Sequence, residues 1–317
     1  MASWTLLLGL LSSIPSSALA AERVCASDPY ADPKNDPCDV LGYVAHNSLN
    51  FVGSIVFLII ALAHSVQLIR YRTWWMGAMV VGLYAFVLGF VSRFGLHSHP
   101  QSQNLFKAEY LLIVLSPCLF IASVYAVLGR LALTVEAEKY LFVPARRVTL
   151  IFVISDVVTF VIQAIGGIIA VTQDNANKKE LGGHIALVGF VLQLVSFSFF
   201  AVMSSRFLYL LFTRGTEVTR ANNALSDTWY KGWRALAIAL AISCTGIEIR
   251  SIYRTVEFAQ GFRGTLATSE VTFYALDTLP LFLAVAVYIP FWPGRLLLPY
   301  SQRKSDPLIA LENTARP

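Results

Sequence analysis

Seven apolar runs follow one another along the chain, at approximately 44–69, 74–96, 106–131, 148–171, 183–212, 233–257 and 269–292. Each reaches the roughly 20 residues a helix needs to cross about 30 Å of hydrocarbon. A helix satisfies its own backbone hydrogen bonds in lipid, and the apolar/polar alternation of a membrane-spanning barrel strand is missing. The pattern predicts an all-α polytopic membrane protein. Because the connections are short, the seven transmembrane helices form a single antiparallel bundle over 44–292, with no evident internal repeat. Ahead of it, residues 1–20 carry a short apolar core from Leu6 to Leu11, then Ser and Pro, then Ala18-Leu19-Ala20. This is a signal-peptide pattern lacking only a basic residue near Met1. Residues 21–43, rich in Asp and Pro, read as an extracellular segment and 293–317 as a cytosolic tail.

Composition agrees: 56% of the 317 residues are apolar and 14% charged, against about 25% charged in a soluble domain. Lys and Arg divide unevenly between the two sets of loops. One set, with the tail, holds Arg70, Arg72, Arg130, Lys139, Arg146, Arg147, Arg214, Arg220, Lys231, Arg234, Arg295, Arg303, Lys304 and Arg316; the other holds Arg23, Lys34, Lys107, Lys178, Lys179 and Arg263. The excess on one side places the N-terminus outside and the C-terminus in the cytosol. The net charge of +5 is thereby used in orientation, and no nucleic-acid partner is expected. Trp74, Trp75, Trp229, Trp233 and Trp292 fall near helix ends, as interfacial anchors do. Cys118 and Cys244 lie in apolar runs and read as packing residues. Cys25 and Cys38 flank a polar segment where an extracytoplasmic location permits a disulfide; their spacing does not fit a zinc site.

Against this apolar background the ionisable residues of 247–277 stand out: Glu248, Arg250, Arg254 and Glu257 on the sixth run, Glu270 and Asp277 on the seventh. A charge at mid-membrane costs about 2.5–3.5 kcal/mol on insertion scales, so such residues pair or line water. Helical spacing puts Arg250, Arg254 and Glu257 on one face, and Glu270, Tyr274 and Asp277 on another. With the N-terminus outside, these residues lie in the outer half, Asp277 about 10 Å deeper than Glu270. Arg93, Glu109, Gln163 and, seven residues before it, Asp156 approach the same level on other helices. Five acids (Glu109, Glu248, Glu257, Glu270, Asp277) against Arg93, Arg250 and Arg254 predict a net acidic, outward-opening cavity suited to a cationic amphiphile. Interhelical salt bridging without a ligand is the competing reading. Gly166, Gly167 and Gly261 serve either close helix packing or hinge motion.

Other seven-helix chemistries find little support. The seventh run has no lysine for a retinal Schiff base, and it lacks Asn-Pro-x-x-Tyr. The third run ends Leu128-Gly129-Arg130 rather than acidic-Arg-Tyr. None of His46, His64, His97, His99 and His184 lies on the sixth or seventh run, as an intramembrane zinc hydrolase would want. His97 and His99 read as part of a solvated loop. No phosphate-binding glycine loop is present. No metal, cofactor or enzymatic activity is expected.

Three blocks, LLIVLSPCLFIASVYAVLGRL at 111–131, IFVISDVVTFVIQAIGG at 151–167 and IEIRSIYRTVEFAQGFRGTLATSEVTFYALDTLP at 247–280, resemble the signature blocks of the fungal RTA-like family, also called lipid-translocating exporters. The resemblance runs from about 42 to 294. It includes Pro117, Ala122, Tyr125, Asp156, Gln163, Arg250, Arg254, Glu257, Gly261, Glu270, Tyr274 and Asp277. Tyr43, Asn50 and Phe57 also fit. Two places depart: Ala45-His46 stands where Pro-Ser is usual, and Phe86, Gly89, Phe90 and Arg93 stand in a Glu-x-x-Gly-Tyr-x-x-Arg pattern, so the acid is gone and Arg93 turns to Glu109. The resemblance implies a seven-helix fungal membrane protein whose relatives export or flip sphingoid long-chain bases, resist toxic amphiphiles or, in one line, move porphyrins.

The combined expectation is a plasma-membrane carrier of amphiphilic lipids such as sphingoid bases. Arg93, Glu109, Asp156, Gln163, Glu248, Arg250, Arg254, Glu257, Glu270, Tyr274 and Asp277 form its substrate site, with Glu270 and Asp277 holding the head group by charge and Tyr274 by packing or hydrogen bonding. A lipid-responsive receptor without transport is the first alternative, an intramembrane lipid hydrolase the second.

Overall fold

The structure is a computed structural model that describes residue 30 and residues 46–173, 175–219, 232–261 and 264–297. The signal-peptide pattern, Cys25, Cys38, Trp229, Arg263 and the tail beyond 297 lie outside the described residues. Among the described residues, six helices are long and apolar enough to cross a membrane: α1 (Asn47–Arg70), α2 (Gly77–Ser98), α3 (Gln103–Thr134), α4 (Ala145–Thr172), α5 (Ala176–Thr213) and α6 (Trp233–Ala259). No strand occurs among the described residues.

The seventh run does not form the regular helix that its apolar length predicts. It is a composite, α7, made of a short α-turn (Glu270–Thr272), a π-helical turn (Phe273–Thr278) and an α-helix (Leu279–Ala286). Ser269 caps its start by accepting from the Thr272 amide. Pro280 supplies the physical reason for the irregularity. It lacks the N–H that would bond back to Leu276, and the ladder ahead of it widens so that the Leu279 amide reaches Tyr274 five residues back. Tighter i→i+3 bonds from Tyr288 to Val285 and from Ile289 to Ala286 then end the helix before Pro290.

Helices adjacent in sequence pack against each other, α3 meets α6 across the middle, and α7 packs on α6 and α1. The apolar stretches of α3 and α6 are 61% and 56% buried, against 28% for α1 and α4. Helices α3 and α6 therefore form the centre, and α1 and α4 turn broad apolar faces outward. Aromatic rings fill the interior. Phe57, Phe86, Phe90 and Phe120 form one edge-to-face group, and Tyr125, Phe152 and Phe200 form another. Such pairs add about 0.5–1.5 kcal/mol beyond the area they bury.

Small residues set how closely the backbones approach. A Cβ on Gly166 would lie 2.3 Å from the Ala186 amide nitrogen, and one on Gly182 would lie 2.5 Å from that of Ala170, so α4 and α5 touch backbone to backbone. Gly167 lies against the Tyr110 ring. Of the two roles expected for Gly166 and Gly167, close packing is the one the fold uses. Gly261, at φ +79°, instead terminates α6 in the left-handed conformation and donates to the Phe258 carbonyl. Two of the tryptophans read as interfacial anchors, Trp233 and Trp292, are buried within the bundle. Trp292 is drawn in by its hydrogen bond to the Thr73 hydroxyl and by an edge-to-face approach to His64. Cys118 and Cys244 are free thiols.

Candidate functional site

On α6, residues 250, 254 and 257 follow the i, i+4, i+7 rule and share the face turned toward α7 and α3. The Arg250 guanidinium donates to Asp277 Oδ2 at 3.1 Å, and Arg254 Nε donates to Asp277 Oδ1 at 2.5 Å. A second Arg254 nitrogen reaches Glu257 Oε2 at 3.0 Å. Asp277 is fully buried and Arg250 nearly so, so both oxygens of one carboxylate are spent on two cations in a low-dielectric interior. Removing either side would strand a buried charge.

The remaining Arg250 nitrogen donates to the Ile113 carbonyl at 3.0 Å. This carbonyl is unusual because Pro117, inside α3, has no N–H to return to the residue four before it. Arg250 fills the gap, so one side chain ties α6 to α7 by an ion pair and to α3 through a proline-freed backbone acceptor.

A second pair lies on the neighbouring helices, where Arg93 of α2 donates to Glu109 of α3 at 2.9 Å with both side chains buried. The ring of Phe273 connects the two groups: the Arg93 guanidinium lies 4.3 Å from its centroid and that of Arg254 lies 5.5 Å away. Cation–π attraction of this kind reaches about 2 kcal/mol when desolvated. Arg250 also lies 5.9 Å from the ring of Phe86.

The cluster thus holds Arg93, Arg250 and Arg254 against Glu109, Glu257 and Asp277, three charges of each sign. The net acidic balance expected at this level is therefore not found in the cluster. Two of the five acids point elsewhere. Glu248 precedes Arg250 by two residues, about 200° around the helix, and accepts from Ser198 of α5. Glu270 accepts from the His46 amide at 3.0 Å and pairs with its ring. Tyr274 donates to Asn50 of α1 at 2.8 Å and stacks on Phe90. The single face predicted for Glu270, Tyr274 and Asp277 is therefore split: the π turn carries more residues per turn than an α-helix, so Asp277 meets α6 while the other two meet α1. The cavity at the cluster, about 20 Å³, is lined in part by Pro117, Gln163, Gln193, Arg250 and Arg254. That is room for about one water.

Asp156 and Gln163, seven apart on α4, both face inward. Gln163 donates to Gln193 of α5 at 2.8 Å, and Gln193 donates to the Cys118 sulfur. Asp156 lies near Tyr125 and Cys118; neither of its carboxylate oxygens meets a hydrogen-bond partner at bonding geometry. Of the eleven residues singled out from sequence, Arg93, Glu109, Arg250, Arg254, Glu257 and Asp277 converge, Gln163 borders their cavity, and Asp156, Glu248, Glu270 and Tyr274 lie outside the charged cluster.

Sequence reasoning passed over Phe273, the Ile113 carbonyl, Gln193 and Ser198. Pro117 inside an apolar run signals a freed carbonyl at Ile113, and an amide at 193 in such a run signals a buried partner. For Phe273 no local signal exists. Among the described residues, no three His, Cys, Asp or Glu side chains converge closely enough to hold a metal ion.

A sequence model of the family described as RTA1 like protein matches residues 79–299. The chain belongs to this family. Every converging residue lies within the matched stretch, whereas His46, just ahead of α1, and Asn50 of α1, the partners of Glu270 and Tyr274, precede it. Among relatives, Protein RTA1 of Saccharomyces cerevisiae is 33% identical over 68% of this chain and 64% of its own length. Protoporphyrin uptake protein 1 of the same species is 28% identical, over 63% of each chain. Sphingoid long-chain base transporter RSB1 is 24% identical over 84% of this chain and 78% of its own length. The chain thus spans less than two thirds of the length of the first two of these. No solved structure matches the chain.

Proposed function

We propose that this protein translocates single-chain cationic amphiphiles, sphingoid long-chain bases in particular, across the plasma membrane. The observation that carries the reading is the buried, charge-balanced joint at which Arg250 and Arg254 of α6 hold Asp277 in the π-helical turn of α7. Irregular helix at membrane depth is tolerated where it lies within protein or lines a pathway, and π-turns recur at functional sites. An ammonium head group bears the same charge as a guanidinium and competes with it for Asp277 or Glu257. Exchange of one cation for another opens the joint without leaving a carboxylate bare. The name of the relative RSB1 supports this class of cargo, and that of protoporphyrin uptake protein 1 supports only the wider class of membrane-soluble amphiphiles.

In this reading α7 is the seventh crossing, with the N-terminus outside and the C-terminus cytosolic, as the distribution of Lys and Arg supports. Residues 1–20 are a signal peptide, 21–43 an extracellular segment, 44–292 the transmembrane domain and 293–317 a cytosolic tail. The protein performs no covalent chemistry and needs no cofactor.

One observation favours a second reading, a lipid sensor without transport: the charges of the joint are paired with one another and the cavity beside them holds about one water, which suits a switch between two packed states. Reconstitution into liposomes with a labelled long-chain base separates the two. A carrier moves the base faster than protein-free liposomes do and loses most of that rate in Asp277→Asn and Glu257→Gln. Movement at the protein-free rate ends the carrier reading. Full transport in both variants keeps the carrier and removes the joint from its mechanism.

A further inference from the structure

Away from the charged joint, helices α5 and α6 leave a cavity of about 250 Å³ between them, more than ten times the space at the joint. Its lining is amphipathic. Leu208, Ile249 and Ile252 supply an apolar wall, while Ser204, Ser205, Thr245 and Glu248 supply polar atoms. Ile249 and Ile252 are also exposed on the outer surface of the bundle, so the cavity borders the lipid rather than the interior.

Its polar atoms are unevenly satisfied. Glu248 Oε1 accepts from the Ser198 hydroxyl, whereas Oε2 is buried without a hydrogen-bond partner. The Ser204 hydroxyl, on a residue 2% exposed, meets no oxygen or nitrogen partner and has only the weak Cys244 thiol beside it. Thr245 is committed to the Ala241 carbonyl within its own helix. No ion pair to Glu248 occurs among the described residues, in contrast to every acid of the joint. A carboxylate oxygen held out of water without a donor is unfavourable, and an ammonium group carries three N–H donors and the compensating charge.

We infer that this groove is a lateral binding site for the ammonium head of a single-chain cationic amphiphile drawn from the bilayer. Glu248 takes the charge, Ser204 accepts or donates a further hydrogen bond, and the aliphatic chain lies along Ile249 and Ile252, with Leu208 at the inner mouth of the groove. The inference rests on the carrier reading for its substrate class, but not for its location. With the C-terminus cytosolic, Ala241 and Leu208 lie about 10 Å from the inner ends of their helices and Glu248 about 20 Å from that of α6. The groove then runs from the cytosolic half to about mid-depth, with Glu248 toward its deep end and the joint beyond it as a later station.

The full chain in nanodiscs, incubated with a sphingoid base carrying a diazirine in its chain, tests this. Light-induced labelling is expected on peptides from 201–208 and 241–252. Unlabelled base should compete for it, while the N-acetylated base, which has the chain without the charge, should compete about tenfold less well. Glu248→Gln should weaken labelling by about the same factor. Ala241→Phe, which fills the groove and leaves the carboxylate in place, should abolish it even if Glu248→Gln disturbs folding. Undiminished labelling of these peptides in Ala241→Phe, or equal competition by the N-acetylated base, overturns the site. Liposome transport of the same base runs in parallel. Groove labelling without transport removes the carrier reading and keeps the site; transport that is indifferent to Ala241→Phe while labelling is lost keeps the carrier and the binding site but overturns the groove as a station on the carrier's path.

Discussion

The guanidinium of Arg250 donates to the carbonyl of Ile113 at 3.0 Å, the acceptor that Pro117 leaves without its helical donor. A proline inside a helix costs about 3 kcal/mol relative to alanine, and a hydrogen bond from a charged donor returns about 1.5–3 kcal/mol. The two nearly offset, so the proline is tolerated where an arginine from another helix waits for the carbonyl. Pro117→Ala restores the N–H and makes it compete with Arg250. The expected result is a thermal midpoint in detergent that is unchanged or raised, together with slower liposome transport of a long-chain base. A raised midpoint with full transport would mean that the bond only fills a hole in α3.

Asp277 serves two arginines at once, and its loss leaves Arg250 and Arg254 with Glu257 as the sole carboxylate of their group. Breaking a buried pair from one side costs about 3–5 kcal/mol, so Asp277→Asn should lower the unfolding midpoint sharply. Adding Arg250→Met removes one stranded cation, and the double variant should be more stable than the sum of the two single effects, with a coupling of about 0.5–3 kcal/mol. Strict additivity in that cycle, read by thermal unfolding of the purified protein, would show that the two side chains do not work as a pair.

Glu270 carries the same formal charge as Asp277 in a different setting. Its partner ring, His46, has a side chain 73% exposed although the Glu270 carboxylate is itself only 10% exposed; one side of the pair stays solvated, which holds its contribution toward the surface value of about 0–1 kcal/mol. Glu270→Gln should therefore shift the midpoint by only a small fraction of the Asp277→Asn shift, and added salt should shrink the difference further. An effect as large as that of Asp277→Asn would place Glu270 inside the joint after all.

The contrast between these two acids shows what the sequence could carry. Apolar run lengths located the helices, because lipid leaves the backbone no other way to satisfy itself. Spacing on α6 aligned Arg250, Arg254 and Glu257, because that helix is regular. The same rule failed on α7, where the π turn separates Asp277 from Glu270 and Tyr274; Pro280 marked the irregularity, but only the folded backbone shows which way it turns. Glu248 was grouped with Arg250 by depth alone, although two residues along a helix reach nearly opposite faces. Charge balance was invisible for a related reason: counting acids and bases at one level does not say which of them meet.

Helices α4 and α5 offer a test of backbone approach that is independent of charge. Gly166 and Gly183 are both helical glycines, yet a Cβ at Gly166 would lie 2.3 Å from the Ala186 nitrogen, whereas one at Gly183 meets nothing within 4 Å. Gly166→Ala must push the two backbones apart, at about 1–3 kcal/mol for an overpacked site. The shift also pulls on Gln163, whose hydrogen bond to Gln193 crosses the same interface one helical turn away. Gly183→Ala gains about 0.5–1 kcal/mol of helix stability with no clash. Thermal unfolding should move in opposite directions for the two variants, and Gly166→Ala alone should slow transport, because the Gln163–Gln193 bridge forms one wall of the cavity beside Arg254. Equal shifts would mean that α4 and α5 separate freely and that the bridge does not fix the position of that wall.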